Sequence, residues 1–249
     1  MAINNMKSSV KPVTSWSYSR YSDYKQCPLK FRLKHIDKIS EPKNQAMERG
    51  SSIHTMAENF IKGKIKKLPV ELQHFKVEFL KLKGQYKKKI SGVIVEDNWS
   101  FTSNWTKTQW NDWVNCWVRI KLDCAHYEDG STLVVTDWKT GKFNLSYGAS
   151  DYVEQLELYA LAALLLHDHI ETVKPRLVYL DHGKIYPGGG QEEELTFTRA
   201  DIPRLKTNWA KRVKPMMNDK IFAPKPNNMC KWCHFRASNK DNGGGQCKF

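Results

Sequence analysis

The sequence has no segment that would direct the chain into or across a membrane. Its first residues, MAINNMKSSVK, contain no apolar run of the kind that marks a secretory signal peptide. Its longest uninterrupted apolar run is Leu158–Leu166, which is far shorter than the roughly 20 residues that cross a bilayer as a helix. We therefore expect a soluble protein that stays in the cytoplasm.

The chain also lacks a motor motif and is poor in acidic residues. It has no Gly-x4-Gly-Lys-Ser/Thr sequence, so it supplies no ATP-driven motor of the P-loop type. It has 40 Lys and Arg residues against 26 Asp and Glu residues, which gives a net charge of +14. Such an excess indicates a polyanionic partner, most simply nucleic acid. Aromatic rings among the basic residues could stack on unpaired bases, although most large aromatic side chains are expected in the core.

The six cysteines are expected to be metal ligands or buried thiols, because disulfides are rare in the cytoplasm. Cys230 and Cys233 form a Cys-x2-Cys pair in a basic tail, and Cys247 follows them. Three thiolates need a fourth ligand to close a tetrahedral or cubane metal site. The first candidate is Cys27. The alternatives are a different fourth ligand (His234, Cys116 or Cys124) or unconnected free thiols.

The stretch Thr132–Lys142, TLVVTDWKTGK, carries the most specific local pattern. Its β-branched residues predict a strand, and Gly141 marks the end of that strand. Side chains two residues apart on a strand point to the same face, so Asp137 and Lys139 should project side by side. An acid and an amine on one face can hold a metal ion and a phosphate oxygen together. The alternative is an ordinary ion pair on a surface strand.

Further polar residues could converge on this pair. Alternation in Cys116–Asp123 predicts a strand with Asp123 at its end, and a turn at Glu128–Gly130 leads back into Thr132–Lys142. Two acids near the ends of neighbouring strands can bind one cation. Glu96 lies inside another predicted strand. His54 lies beside the apolar stripe of a predicted helix, and we interpret it as a ligand only if acids converge on it.

The remaining apolar periodicity predicts helices around a sheet. Strands and one helix follow each other in the order βββαβ, which is typical of a mixed α/β or α+β sheet. The helix Asp151–His167 is apolar nearly all round, as expected for a helix packed on a sheet, and it places Gln155 and Tyr159 on one face. The other predicted helices are Ser15–Gln26, a segment from Pro28, Ala46–Lys62, Pro69–Lys89 and Arg199–Met217, and the later strands are Val173–Leu180 and Leu195–Thr198.

Six of these features, in this order, resemble the RecB-like branch of the PD-(D/E)XK nucleases. The chain is especially similar to the iron–sulfur members, such as the AddB nuclease domain and the CRISPR-adaptation exonucleases. The matching segments are SYSRYSDYKQCPLKF at Ser17–Phe31, Arg-Gly-x3-His at Arg49–His54, Ile120–Asp123, Asp-x-Lys-Thr-Gly at Asp137–Gly141, Gln-x3-Tyr at Gln155–Tyr159, and the closing cysteines. Leu122 replaces the family's Pro, Lys121 stands where the family often has Gly, and the gap before Cys247 is longer than usual.

The resemblance implies a restriction-endonuclease-like core in one nuclease domain, residues 15–249, after a flexible segment 1–14. Residues 15–90 would be helical, residues 91–217 would form the core, and residues 218–249 would be a tail tied to Cys27 by a cluster. The function implied is a metal-dependent DNA exonuclease acting on linear or single-stranded DNA in recombination, repair or phage DNA metabolism. The cell would be bacterial or phage-infected, with a recombination or helicase protein as a possible partner.

The resemblance also assigns residues. The catalytic set would be Asp123, Asp137, Lys139, Gln155 and Tyr159. Mg²⁺ or Mn²⁺ would be held by His54, Asp123, Asp137 and the Trp138 carbonyl, with Glu96 as a further acid. A [4Fe-4S] cluster, with zinc as the alternative, would be held by Cys27, Cys230, Cys233 and Cys247. DNA contacts would come from Arg49, Tyr159, Lys87 and Lys88. Two other hypotheses stay open: a catalytically silent nucleic-acid-binding module, and an accessory subunit of a helicase–nuclease or CRISPR-type complex.

Overall fold

The computed structural model describes residues 12–42, 44–88, 92–143, 149–187 and 193–249, without the side chains of residues 149–151 and 242. Most of the segment 1–14 that we expect to be flexible therefore lies outside the described residues. The chain divides into two compact units. The central unit is Lys43–Trp209, and the terminal unit combines Met1–Pro42 with Ala210–Phe249. Within the described ranges, no helix is both long and apolar enough to span a membrane.

In the part of the chain that the structure describes, six α-helices and six β-strands carry the fold. The helices are α1 Tyr18–Gln26, α2 Pro28–Phe31, α3 Gln45–Ile61, α4 Lys76–Lys87, α5 Ala149–Leu166 and α6 Ile202–Asn218. The strands are β1 Val93–Phe101, β2 Val118–Tyr127, β3 Thr132–Lys139, β4 Thr172–Tyr179, β5 Lys184–Tyr186 and β6 Phe197–Thr198. Short 3₁₀ helices lie at Val70–Phe75, Arg199–Asp201, Asn228–Trp232 and Ala237–Asn242, and a π-helical turn lies at Arg32–Ile36.

The central unit is built on a mixed sheet with the order β1-β2-β3-β4-β5, and β6 pairs with β4. The first three strands form an antiparallel meander, and β3 pairs in parallel with β4. A parallel pair needs a long crossover connection, and α5 supplies it by packing on β2, β3 and β4. The predicted order βββαβ and the predicted mixed α/β architecture are thus confirmed.

Successive side chains along each strand point to opposite faces of the sheet, and each face is covered by different helices. Strand β3 is buried along nearly its whole length, because helices cover both of its faces. On the face opposite α5, helices α3 and α4 pack their apolar side chains against Trp138 and Val178. The helix residues in this core include Ile53, Ala57, Phe60, Phe79 and Leu82. Helix α5 contacts Asp137 through Gln155 and Tyr159, and α3 contacts Asp123 through His54.

Two boundaries differ from the sequence prediction. Asp123 was expected at the end of its strand, and this is wrong: β2 continues for four residues to Tyr127. The strand continues because Cys124 pairs with Val95 on one side and with Thr136 on the other, so both edges keep their ladder partners. The single helix expected over Pro69–Lys89 is also wrong. A 3₁₀ helix comes first, and α4 begins only at Lys76.

The terminal unit is helical at its start and irregular at its end. The Ser17 hydroxyl caps α1 by accepting a hydrogen bond from the Arg20 amide. Cys27 is extended, as expected before Pro28, and it separates α1 from α2. Phe31 is fully buried and stacks on Phe222, with ring centroids 5.9 Å apart. Its apolar contacts join the first helices of the chain to the segment that follows α6.

Candidate active site and cysteine cluster

Asp137 and Lys139 lie at the end of β3 and form an ion pair. The Lys139 Nζ atom is 2.6 Å from Asp137 Oδ2, as the alternation of a strand predicts. Burial alone would lower the pKa of Lys139, but the charge of Asp137 and its contact with the amine outweigh burial, so the pKa is raised. Lys139 therefore keeps its positive charge at neutral pH.

Helix α5 holds the other oxygen of Asp137. Asp137 Oδ1 accepts hydrogen bonds from the Tyr159 hydroxyl at 2.7 Å and from Gln155 Nε2 at 3.0 Å. The Oε1 atom of Gln155 accepts in turn from Lys139 Nζ at 3.2 Å. Gln155 and Tyr159 are four residues apart, so they occupy adjacent turns on one helix face. The expected acid, lysine, glutamine and tyrosine thus form one hydrogen-bonded group.

Asp123 lies beside this group on the neighbouring strand. Its Oδ2 atom accepts a hydrogen bond from the Trp138 amide at 2.8 Å, and its Oδ1 atom is 3.2 Å from His54 Nδ1. Burial, followed by the nearby charge of Asp137, raises the pKa of Asp123. The buried carboxylates of Asp123 and Asp137 repel each other, so a positive charge near both of them is favoured. The main-chain contact of Trp138 is made by its amide, and its carbonyl stays a predicted ligand.

His54 and Glu96 complete a group of potential metal ligands. Within the described residues, His54, Glu96 and Asp123 form the one set of three ligand atoms that all lie within 4.8 Å of one another. Burial would lower the pKa of His54, but its hydrogen bond to Asp123 and the surrounding carboxylates raise it. The acids that we required before interpreting His54 as a ligand are therefore present around it.

The chemistry of this donor set fits a divalent cation. Among the described atoms, Glu96 Oε1 is buried and accepts no hydrogen bond, whereas Asp137 Oδ2 is paired with the Lys139 ammonium 2.6 Å away. Buried carboxylate oxygens without a donor are costly unless a cation satisfies them. Mg²⁺ and Mn²⁺ prefer carboxylate oxygens. A cavity of about 220 Å³ opens beside the group, between α3, Glu96 and Lys121.

The basic residues expected to contact DNA have different surroundings. Arg49 donates two hydrogen bonds to Asp181, at 2.8 Å and 2.7 Å. This pairing ties α3 to the turn after β4. Lys87 and Lys88 are exposed at the end of α4. Tyr159 is only 6% exposed and its hydroxyl is bound to Asp137, which argues against the expected DNA contact for this residue.

Sequence reasoning missed two partners of the site. Lys121 departs from the family pattern, and its Nζ atom is 2.8 Å from Glu96 Oε2. Its position two residues before Asp123, on the same strand face, was the signal that could have revealed it. Asp181, the partner of Arg49, has no comparable signal because the two residues are 132 positions apart.

The four expected cluster cysteines all belong to the terminal unit. Cys27, Cys230 and Cys233 line one cavity of about 80 Å³. Two backbone amides point at sulfur atoms: Lys225 N lies 3.4 Å from Cys27 Sγ, and Asn227 N lies 3.3 Å from Cys230 Sγ. Burial raises the pKa of Cys233, and the neighbouring thiols of Cys247 and Cys27 add to this effect.

The rival cysteines lie elsewhere. Cys116 and Cys124 are both buried in the central unit, and Cys124 belongs to the core under α3 and α4. Burial raises the pKa of each of these thiols, as it does for Cys233, but neither of them lines the cavity that Cys27, Cys230 and Cys233 share. His234 is in the terminal unit, and its Nε2 atom is buried without a hydrogen-bond partner among the described residues. Cys27 therefore remains the first candidate for the fourth ligand.

Comparison with known proteins gives one informative match. Residues 15–238 match the family model of the PD-(D/E)XK nuclease superfamily. No curated protein matches the sequence. A crystal structure of a candidate exonuclease from Eubacterium rectale is 13% identical and has a TM-score of 0.45, and it covers 94% of this chain and 92% of its own. The crystal structure of SSO0001 is 15% identical with a TM-score of 0.41, covering 92% and 87%. Both TM-scores are below 0.5, so the family match alone bears on the function.

Proposed function

Because the chain belongs to the PD-(D/E)XK nuclease superfamily, we propose that it is a metal-dependent DNA exonuclease acting on linear or single-stranded DNA. One observation carries the proposal: Asp137 is held by Lys139, Gln155 and Tyr159 on one side of a group that also contains Asp123, Glu96 and His54. A structural ion pair would not need three further acidic or imidazole ligands. This arrangement provides both a cation site and a positive charge for a phosphate.

The cation would be Mg²⁺ or Mn²⁺. Asp123, Asp137, His54, Glu96 and the Trp138 carbonyl would hold it, and His54 would bind as the neutral imidazole. When bound, such an ion supplies a nucleophile at neutral pH by lowering the pKa of a water molecule, and it offsets negative charge on the phosphate.

The remaining residues act on the phosphate and on the ligands. Lys139 keeps its proton, so it is suited to stabilise developing negative charge and to orient the attacking water. Gln155 and Tyr159 fix the orientation of Asp137 by donating to Oδ1. Arg49, Lys87 and Lys88 remain proposed contacts for the DNA backbone, together with the overall charge of +14. Backbone contacts of this kind weaken steeply with salt and carry no base preference.

We also propose a [4Fe-4S] cluster at Cys27, Cys230, Cys233 and Cys247. The cavity that three of these cysteines line and the two backbone amides aimed at their sulfur atoms support it. Hydrogen bonds to sulfur are a general feature of such cluster sites. The cluster would join the first helices of the chain to its tail, and its role would be structural. Zinc is the alternative occupant.

The test of the nuclease proposal is digestion of end-labelled linear, circular, single-stranded and double-stranded DNA with Mg²⁺, Mn²⁺ or a chelator. Cleavage should require metal and should be abolished by Asp137→Ala and by Lys139→Ala. Two exposed residues of the central unit, Asp168 and Lys184, provide matched controls, and Asp168→Ala and Lys184→Ala should cleave normally.

The same assay separates the alternatives. Undiminished digestion by both site variants would refute the active-site assignment. DNA binding without cleavage under every metal condition would favour the silent binding module. Cleavage that starts only when a helicase or recombination protein is added would favour the accessory subunit.

A further inference from the structure

The connection between β1 and β2, residues 102–117, ends in an exposed apolar tip. Trp113 is 79% exposed and Val114 is 91% exposed, and Trp110 is 36% exposed beside them. Single exposed apolar residues are normal on protein surfaces, but a cluster that includes two tryptophans marks an interaction site. We call Trp110, Trp113 and Val114 the hairpin tip.

The hairpin tip is held in a fixed conformation. The Asp112 carboxylate accepts hydrogen bonds from the Thr108 hydroxyl at 2.8 Å and from the amides of Val114 and Asn115 at 3.2 Å and 2.9 Å. These hydrogen bonds lower the pKa of Asp112 to about 2, so it stays ionised. At the base of the connection, Trp105 is buried against Phe101 and Trp117. The tip thus exposes its tryptophans from an ordered loop, which reduces the entropy cost of binding.

A cation lies against the tip. The Arg119 guanidinium is 4.7 Å from the centre of the Trp113 ring and 5.9 Å from that of Trp110. Its Nε atom donates to the Trp110 carbonyl at 3.0 Å. Arg119 therefore orients the rings and adds positive charge beside them. A π-face next to a guanidinium plane is the combination on which unpaired bases stack.

Strand β2 connects the tip to the candidate active site. Arg119, Lys121 and Asp123 alternate along β2 and share one face, while Val118, Ile120 and Leu122 are buried on the other. Arg119 is four residues from Asp123, which corresponds to roughly 14 Å along an antiparallel strand. Two basic side chains thus lie between the tryptophans and the carboxylates on a continuous face.

We propose that the two tryptophans of the hairpin tip, Trp110 and Trp113, form with Arg119 a stacking platform for unpaired bases of the DNA strand whose cleavage site is at Asp123 and Asp137. This inference rests on the proposed nuclease function and names the substrate class at that site as single-stranded DNA. Paired bases have no free faces for the tryptophans, so the platform discriminates against intact duplex. The basic face of β2 carries the intervening phosphates.

The experiment measures binding separately from cleavage. In an Asp137→Ala background, fluorescence anisotropy gives the affinity for single-stranded oligonucleotides of about 4 and about 12 nucleotides, a range set by the reach along β2. Trp113→Ala should weaken binding of the longer oligonucleotide about 5- to 150-fold, the loss expected for one stacked base. The shorter oligonucleotide and a blunt duplex of the same length should be affected much less.

Two neighbouring variants make the result specific. Trp113→Phe keeps an aromatic face and should restore most of the affinity. Val114→Ala removes an equally exposed apolar group without a π-face and should bind DNA like the parent. Because both side chains are exposed, unchanged circular dichroism and unchanged thermal unfolding are expected for all three variants.

Each outcome supports or overturns the platform. An unchanged affinity in Trp113→Ala overturns it, and so does an equal loss in Val114→Ala, which would indicate an apolar protein contact surface. If the wild-type chain cleaves DNA but Trp113→Ala binds normally, the platform is wrong and the nuclease proposal stands. If no DNA is cleaved but binding depends on Trp113, the nuclease proposal fails and the platform stands.

Discussion

The hydroxyl of Tyr159 offers a sharp test of how the active site is positioned. In Tyr159→Phe the buried ring keeps its packing, because the two side chains have nearly the same shape. What is lost is the 2.7 Å hydrogen bond to Asp137 Oδ1 and the weaker contacts with Gln155 Nε2 and the Lys121 carbonyl. The substitution therefore changes the support of Asp137 and leaves every proposed metal ligand in place.

The size of the expected loss in activity follows from the negative charge of Asp137, which accepts the hydrogen bond. A hydrogen bond to an ionised group contributes about 1.5–3 kcal/mol. If the support acts in the transition state, kcat should fall about 10- to 150-fold. Gln155 Nε2 still donates to Asp137 Oδ1 at 3.0 Å, so we expect a loss near the lower end of this range. KM for DNA should change little, because the Tyr159 side chain is buried and its hydroxyl is bound to Asp137.

The assay is steady-state digestion over a range of DNA and metal concentrations, together with thermal unfolding. Half-saturation by Mg²⁺ or Mn²⁺ should need more metal in Tyr159→Phe, since Asp137 is less firmly oriented. The control is Tyr127→Phe, which removes a hydroxyl 2.9 Å from His169 Nε2 at the far end of β2. A Tyr159→Phe variant with normal kcat and normal metal dependence but lower thermal stability would show that the hydroxyl is purely structural. An equal kinetic loss in Tyr127→Phe would refute the positioning argument as well.

Two predictions concern the terminal unit. Burial would raise the pKa of Asp23, but the hydrogen bond from His35 and the charges of Lys34 and Lys30 lower it to about 2. Since this value is below that of an unfolded Asp, near 3.9, the stabilisation is complete at neutral pH and is lost as the pH falls through about 2. Asp23→Asn should therefore lower the free energy of unfolding by about 1–2 kcal/mol at pH 7, after allowance for solvent screening. Chemical denaturation should show that the unfolding free energies of the two proteins converge near pH 2. An equal difference at both pH values would refute this prediction. The second prediction is that the wild-type protein is brown and contains iron and sulfide. The Cys230→Ser variant should be colourless, and the Cys116→Ser variant should keep its colour. A colourless wild-type protein with stoichiometric zinc would show that the site holds zinc and no iron–sulfur cluster.

The strand order was predictable because the local patterns leave few alternatives. The β-branched run Val134–Thr136 is buried on both faces, and the nearly all-apolar α5 has to pack on a sheet. The length of β2 was not predictable in the same way. Cys124, Ala125 and His126 give no strong strand pattern, and their conformation is decided by partners on β1 and β3. Strand propensity depends on such neighbours more than helix propensity does.

In the candidate site, too, some contacts are predictable from the sequence and others are not. The pairing of Asp137 with Lys139, and the shared helix face of Gln155 and Tyr159, follow from the periods of strand and helix alone. The direction of the Tyr159 hydroxyl does not follow from periodicity. It depends on where β3 passes beneath α5, which is a tertiary property. The same holds for the pairing of Arg49 with Asp181, since the helix and the turn meet only in the folded central unit.

Glu96 shows how the fold carries a cost at the site. It has a left-handed backbone with φ of 51°, although it lies within β1 between Val95 and Asp97, which pair with Cys124 and Leu122 of β2. A conformation of this kind costs a non-glycine residue about 1–3 kcal/mol and persists only where the surroundings impose it. It brings a third carboxylate toward His54 and Asp123 and leaves one of its oxygens buried without a donor among the described atoms. The strained backbone of Glu96, the repulsion between neighbouring carboxylates and the oxygen without a donor do not improve packing. A bound cation would reduce the repulsion and would satisfy the oxygen. The Glu96 carboxylate thus lies with one oxygen 2.8 Å from Lys121 Nζ and the other 4.0 Å from His54 Nδ1, within the group that we propose as the cation site.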